Sequence, residues 1–232
     1  MTKAALLFAA LVAFAAAPLI VTPFMGYDPS AFPVLIDRHP IQPAGWAFSI
    51  WGVIYLWLLA HGLFGLLKRP EDAKWDAPRA ALTLSALIGA AWMSIAAASP
   101  LWGTLTIWPM GLAAMAAFIA ADPTHDRWLL SAPIAILAGW LTAASAVSTG
   151  VYLGGQGILS PFAAAVVMLA LVLAIAIPLQ RLRHAMPLYG ATVIWALVGI
   201  IAANLGDAKP VALLAALGAA AMAAAIALPR RT

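Results

Sequence analysis

The chain contains no cysteine, and only 9% of its residues carry charge. Without cysteine there are no disulfides, no thiolate metal ligands and no cysteine nucleophile. The shortage of charge says more. Soluble proteins carry charge at about 25% of positions. Here the 12 Lys and Arg and the 8 Asp and Glu are confined to short segments between eight long apolar runs. Hydrocarbon does not solvate ions, and a Lys, Arg or Asp at the centre of a spanning helix costs at least about 2.5–3.5 kcal/mol. The pattern therefore describes an all-α, polytopic transmembrane helix bundle of about eight spans. It also leaves the membrane interior without an acid, so neither a Ser-His-Asp triad nor paired carboxylates can be built there, and the expectation is that the protein is not an enzyme.

What is present fits that class. Apolar residues fill 65% of the 232 positions, and mean hydropathy is +1.01. Runs of about 20 such residues cross about 30 Å of hydrocarbon. The predicted spans are 4–22, 46–67, 80–99, 101–121, 128–148, 160–178, 188–205 and 210–228. With the N-terminus inside, Lys3, Lys68, Arg69, Lys74, Arg79, Arg127, Arg181, Arg183, Arg230 and Arg231 fall on the cytoplasmic side, against only Arg38 and Lys209 outside. This bias follows the positive-inside rule and requires an even number of spans with both termini cytoplasmic. It also explains a pI near 9.8 without a nucleic-acid partner. The Ala-, Trp- and Arg-rich usage points to a bacterial cytoplasmic membrane. Lys3, an apolar run and Ala15-Ala16-Ala17 resemble a signal peptide, but Pro18 disfavours cleavage and the run continues through Val21, so a first spanning helix is expected.

No linker divides the chain. The longest polar segments are 23–45, outside, and 68–79, inside, where Trp75 is expected at the headgroup level. Ser99-Pro100-Leu101-Trp102-Gly103 is a tight hairpin that sets spans three and four antiparallel, and Ser148 through Gly157 reads as a flexible outer loop. Small residues at helical spacing, such as Ala86 and Ala90, let helices approach closely in lipid. The Ala- and Leu-rich last span reads as a packing helix.

The stretch from Pro43 to Tyr55, PAGWAFSIWGVIY, carries the most information. At about 100° per residue, Trp46, Ile50, Trp57, His61 and Phe64 share one face, and Phe48, Trp51 and Tyr55 share another. Trp46 also suits a simple interface anchor. Trp51 and Tyr55 lie deeper, where indole and phenol groups need hydrogen-bond partners.

This stretch resembles the second-helix signature of the TspO/translocator protein family, the tryptophan-rich sensory proteins. That signature runs in outline PPGWVFGPVWTVLY, and the chain matches it with a one-residue contraction between Phe48 and Trp51. Trp92 followed by Ser99-Pro100-Leu101-Trp102-Gly103 is similar to the family's Trp plus SPLFFG, with extra residues between. Trp140 and Ser148 resemble the Trp and Asn of its fifth helix. The third-helix Asn of the family has no counterpart, its place being taken by Gly89 or Ala90. The resemblance covers residues 1–148, a TspO-like five-helix core; residues 149–232 add three helices within the same membrane domain.

The resemblance implies a pocket lined by Pro43, Trp46, Phe48, Trp51, Tyr55, Trp92, Trp140 and Ser148, closed by the 23–45 segment. Its ligand would be a hydrophobic small molecule: a porphyrin or other tetrapyrrole bound without a covalent link, or else a sterol or carotenoid. Arg38 would meet propionates, unless the acidic and basic residues of 23–45 are simply solvated. The implied role is that of a receptor or carrier, for sensing, sequestration or delivery. Two other classes stay open. A small-molecule transporter usually places a carboxylate or a broken helix at midplane, and here only Pro109 and Pro178 offer a bend. A structural or assembly subunit suits the Ala-rich terminal helices, with a homodimer or another membrane protein as partner. His61 is the lone histidine within a span, fit either to ligate a metal or, more simply, to hydrogen-bond a carbonyl. His39, His125 and His184 form no spaced metal motif, so no metal site is expected.

Overall fold

The computed structural model describes residues 2–21, 24 and 26–228. Arg230 and Arg231 of the cytoplasmic set, the end of the first predicted span at residue 22, and residues 23 and 25 of the outer segment lie outside the described residues. Eight α-helices form among those described: α1 (Thr2–Ile20), α2 (Ile50–Lys68), α3 (Ala73–Ala98), α4 (Pro100–Ala120), α5 (Ser131–Gly155), α6 (Pro161–Leu182), α7 (Leu188–Asn204) and α8 (Lys209–Ala227). Seven are long and apolar enough to cross a membrane, α2 together with the turn before it; α7, at 17 residues, is shorter. The chain is thus the integral membrane helix bundle that its charge pattern predicts.

Helix starts follow ordinary capping rules. Asp72 accepts from the Lys74 and Trp75 N–H groups to open α3, and Ser99 and Ser160 do the same for α4 and α6, each followed by proline at the first helical position. The short hairpin lays α3 against α4, and α1 packs across α3 and α2. At the centre is α5, buried along most of its length between α4, α6 and α7, with α8 covering α7 and α6. Outward faces carry Leu6, Leu56, Leu87, Leu112 and Leu213, as lipid contact requires. The expected flexible loop from Ser148 to Gly157 is instead mostly the last turns of α5, whose hydrogen bonds continue to Gly155.

One end of the bundle is stitched by ion pairs: Lys3–Asp76 at 2.7 Å, Arg69–Asp126 at 2.8 Å and Lys74–Asp122 at 2.9 Å. Trp75, expected at the headgroups, is buried in this knot. Its ring stacks on His61 at 4.9 Å and its Nε1–H donates to Asp126 at 2.8 Å. Asp126 supplies that acceptor from a left-handed backbone conformation, φ 44°, which Asp tolerates better than most residues. The indole N–H is thereby satisfied without water, and burying the ring becomes favourable.

Candidate ligand-binding chamber

The segment that leads into α2 does not begin as an α-helix. Gly45–Ser49 winds as a 3-10 turn, and α2 starts at Ile50. Pro43 has no N–H to give, and the N–H of Ala44 is used on the carbonyl of Gly199 in α7 at 2.9 Å. A 3-10 turn advances about 120° per residue rather than 100°, so Trp46 leaves the face assigned to it. It stands edge-on to Trp195 at 4.9 Å and is 46% exposed, away from any chamber. The later residues of that face pack toward the ion-paired end: Trp57 stacks on Trp128, and Phe64 packs against Trp75.

The other face of α2 lines two adjoining chambers with cavity volumes of ≈ 50 and ≈ 120 Å³. Phe24, Phe48, Trp51, Trp92 and Ile107 belong to both and form the wall between them. Pro43, Trp140 and Ser148 complete one chamber, together with Gln42 and Ala196; Tyr55, Phe14 and Gly89 line the other. Of the residues singled out in the sequence, all but Trp46 meet here.

Aromatic contacts hold the walls. Trp51 stacks on Tyr55 at 5.3 Å, and Phe14 of α1 stands edge-on to both, at 5.9 and 5.1 Å. Trp140 takes the edges of Phe48 and Trp51, at 5.7 and 6.1 Å. Phe24 closes the middle, edge-on to Trp92 at 4.8 Å. The Trp92 indole is satisfied by the Gly103 carbonyl at 2.8 Å. That of Trp140 is buried with no hydrogen-bond partner among the described residues.

The polar groups of the chambers are few and neutral. Tyr27 Oη lies 2.8 Å from Ser148 Oγ, which lies 2.9 Å from Thr104 Oγ1. Burial pushes the Tyr27 phenol above its ordinary range, so it stays neutral at any physiological pH. No charged side chain lines either chamber. Asp28, Asp37 and Arg38 are exposed, as a solvated loop would have them, whereas His39 is buried. His61 is remote from the chambers; its Nδ1 lies 2.7 Å from the Leu129 carbonyl, the simpler of the two roles open to it.

Phe14, Phe24 and Tyr27 are lining residues that sequence reasoning did not find, as is Thr104, which braces Ser148 from behind the wall. Phe14 lies in a uniformly apolar helix, and Tyr27 joins partners from two helices far along the chain.

A family model described as TSPO-like protein matches residues 4–228, which takes in all of α2 to α7 and nearly all of the two terminal helices. No curated protein and no solved structure matches the chain.

Proposed function

The chain belongs to the TSPO-like protein family, and from that premise we propose that it is a membrane receptor or carrier that binds a flat, hydrophobic tetrapyrrole non-covalently. The observation that carries the reading is the pair of chambers walled by Phe48, Trp51, Tyr55, Trp92 and Trp140, with one unpartnered indole N–H at Trp140. Flat macrocycles stack on such rings, and the free N–H supplies one directional contact. Because no ion lines the walls, a porphyrin's propionates stay at the rim, near the exposed Arg38.

Ligand pockets usually measure about 300–1,000 Å³, more than the chambers hold as they stand. A ligand of that size therefore needs the shared wall, to which Phe24 belongs, to give way. With no acid or charged group at the chambers, the role proposed is binding for sensing, sequestration or delivery rather than catalysis.

Titrating the purified protein with protoporphyrin, haem, a carotenoid and a sterol, followed by absorbance and tryptophan quenching, tests this. Saturable binding of the tetrapyrroles, weakened on removal of the Trp51 ring, is expected. Saturable binding of the sterol or carotenoid alone would overturn the ligand class.

A further inference from the structure

At the end of the bundle opposite the ion pairs, two adjacent glycines close α5. A Cβ at Gly154 would come within 2.8 Å of the His39 ring, and one at Gly155 within 2.5 Å of the Phe32 ring. The glycines thus form a flat seat for both rings. The segment between those rings is pinned to the bundle. Val34 N–H donates to the Gly155 carbonyl at 3.0 Å, and the Asn204 side chain of α7 donates to the Pro40 carbonyl at 2.8 Å. His39 N–H donates to Gln42 Oε1 at 2.8 Å, and Gln42 itself lines a chamber. Phe32–Gln42 is therefore a roof whose far edge is part of the site.

His39 is the titratable group under this roof. It is 4% exposed and its Nδ1 has no hydrogen-bond partner among the described residues. On its own segment the neighbouring charges, Asp37 and Arg38, are exposed, and Arg38 reaches Asn204. From α5 the nearby titratable group is Tyr152, packed against Phe32 at 6.4 Å; the turn into α6 contributes Ser160 and Pro161, and α7 the neutral Asn204, with Asp207 beyond its end. No carboxylate among the described residues is placed to accept from an imidazolium at position 39, and burial alone holds the ring below its ordinary range.

Building on the binding function proposed above, we propose that Phe32–Gln42 is a lid latched by neutral His39 on Gly154, and that protonation of His39 unlatches it, so that acid speeds ligand exchange at this end. A charged imidazole cannot stay seated against glycine and phenylalanine without an acceptor. The neutral form is the seated one, so the latch is at full strength above about pH 6.5. It weakens as pH falls below that value, by up to about tenfold per unit, until the depressed value of the seated ring is reached.

Two readouts in nanodiscs test the latch. Hydrogen exchange of the peptide carrying the Val34 amide, corrected for the intrinsic pH dependence, reads the lid alone. Stopped-flow quenching by protoporphyrin reads ligand entry. Between about pH 7.5 and 5.5 the protection of Val34 should fall roughly tenfold and the association rate should rise by a similar factor. His39→Phe should flatten both responses. Gly154→Ala, which displaces the ring from its seat, should leave Val34 unprotected at both pH values. A pH-independent Val34 in the wild-type protein, or the same pH response in His39→Phe, overturns the latch. A lid that opens with acid in a protein that binds no protoporphyrin at either pH sustains the latch and overturns the ligand.

Discussion

The backbone N–H of Ala44 donates to the carbonyl of Gly199 at 2.9 Å, and so α7 holds the segment that leads into the chamber wall. Trp195 strengthens the join by donating its indole N–H to the Ala47 carbonyl at 2.9 Å. A Cβ at position 199 would come within 2.9 Å of both Pro43 and Ala47. With Ala196 in the wall as well, a helix beyond residue 148 contributes directly to the site.

Gly199→Val should therefore lift the Pro43–Ser49 segment off α7. Overpacking of this kind costs about 1–3 kcal/mol, and the segment next to the chamber would absorb it. A drop in protoporphyrin affinity of about fivefold or more is expected, with helical content and monodispersity unchanged. Wild-type affinity in a folded Gly199→Val protein would show that α7 does not set the wall.

Trp51→Ala should weaken protoporphyrin binding about 5- to 150-fold, since stacking on one ring is worth about 1–3 kcal/mol. Trp51→Phe should keep part of the affinity, because a flat face remains. Trp102, 59% exposed on the outside of α4, is the matching control, and Trp102→Ala should bind as wild type does. Equal losses at both positions would mean that the effect is not one of contact. Trp75→Ala is no substitute as a control, because that ring is buried.

Trp75→Ala should instead destabilise the fold by about 3–5 kcal/mol, the usual range for emptying a buried tryptophan site. Asp126→Asn isolates the charge in the same knot. The hydrogen bond from Arg69, aided by that from Trp75, holds the Asp126 carboxyl below its ordinary range. A carboxylate of depressed pKa stabilises the fold above its unfolded value, about 3.9, and loses that contribution as pH falls through the folded one. Thermal midpoints of wild type and Asp126→Asn should differ near pH 7 and converge toward pH 3. A gap that persists into acid would assign the effect to shape rather than charge.

The Lys and Arg distribution predicts a cytoplasmic C-terminus. A fluorescent reporter fused after Thr232 should be bright and a periplasmic phosphatase fused at the same place inactive. The reverse pair of results would place the C-terminus outside and overturn either the span count or the orientation read from Lys and Arg.

The bundle was readable because exclusion of charge from hydrocarbon is a one-dimensional constraint; the positions of Lys68 and Arg79 bracket a turn however the helices pack. The face carrying Trp51 and Tyr55 was readable for a similar reason, since both lie within α2 and its period applies. Trp46 leaves its expected face because the period changes between the Gly45–Ser49 turn and α2, and the bond from Ala44 to α7 holds that turn. Trp75 sits among Lys74 and Asp76 and reads as interfacial until Asp126, from another loop, accepts its N–H. Nothing around His39 signals burial. The seat that buries it is visible only as Gly154-Gly155, more than a hundred residues later, and those glycines read equally well as a flexible loop.

The ion pairs found among the described residues all gather at the end that holds Arg69 and Asp126, whereas the Val34–Gly155 end is held by backbone bonds, glycine contacts and side-chain hydrogen bonds without an ion pair. Dissolved salt screens the first set over about 10 Å at 0.1 M and leaves the second nearly untouched. In a protein that spans a bilayer these ends face separate aqueous phases. Ionic strength on one side and acidity on the other thus act as independent dials, the first setting how firmly the helices are gathered, the second how readily the chamber above Trp140 exchanges its contents.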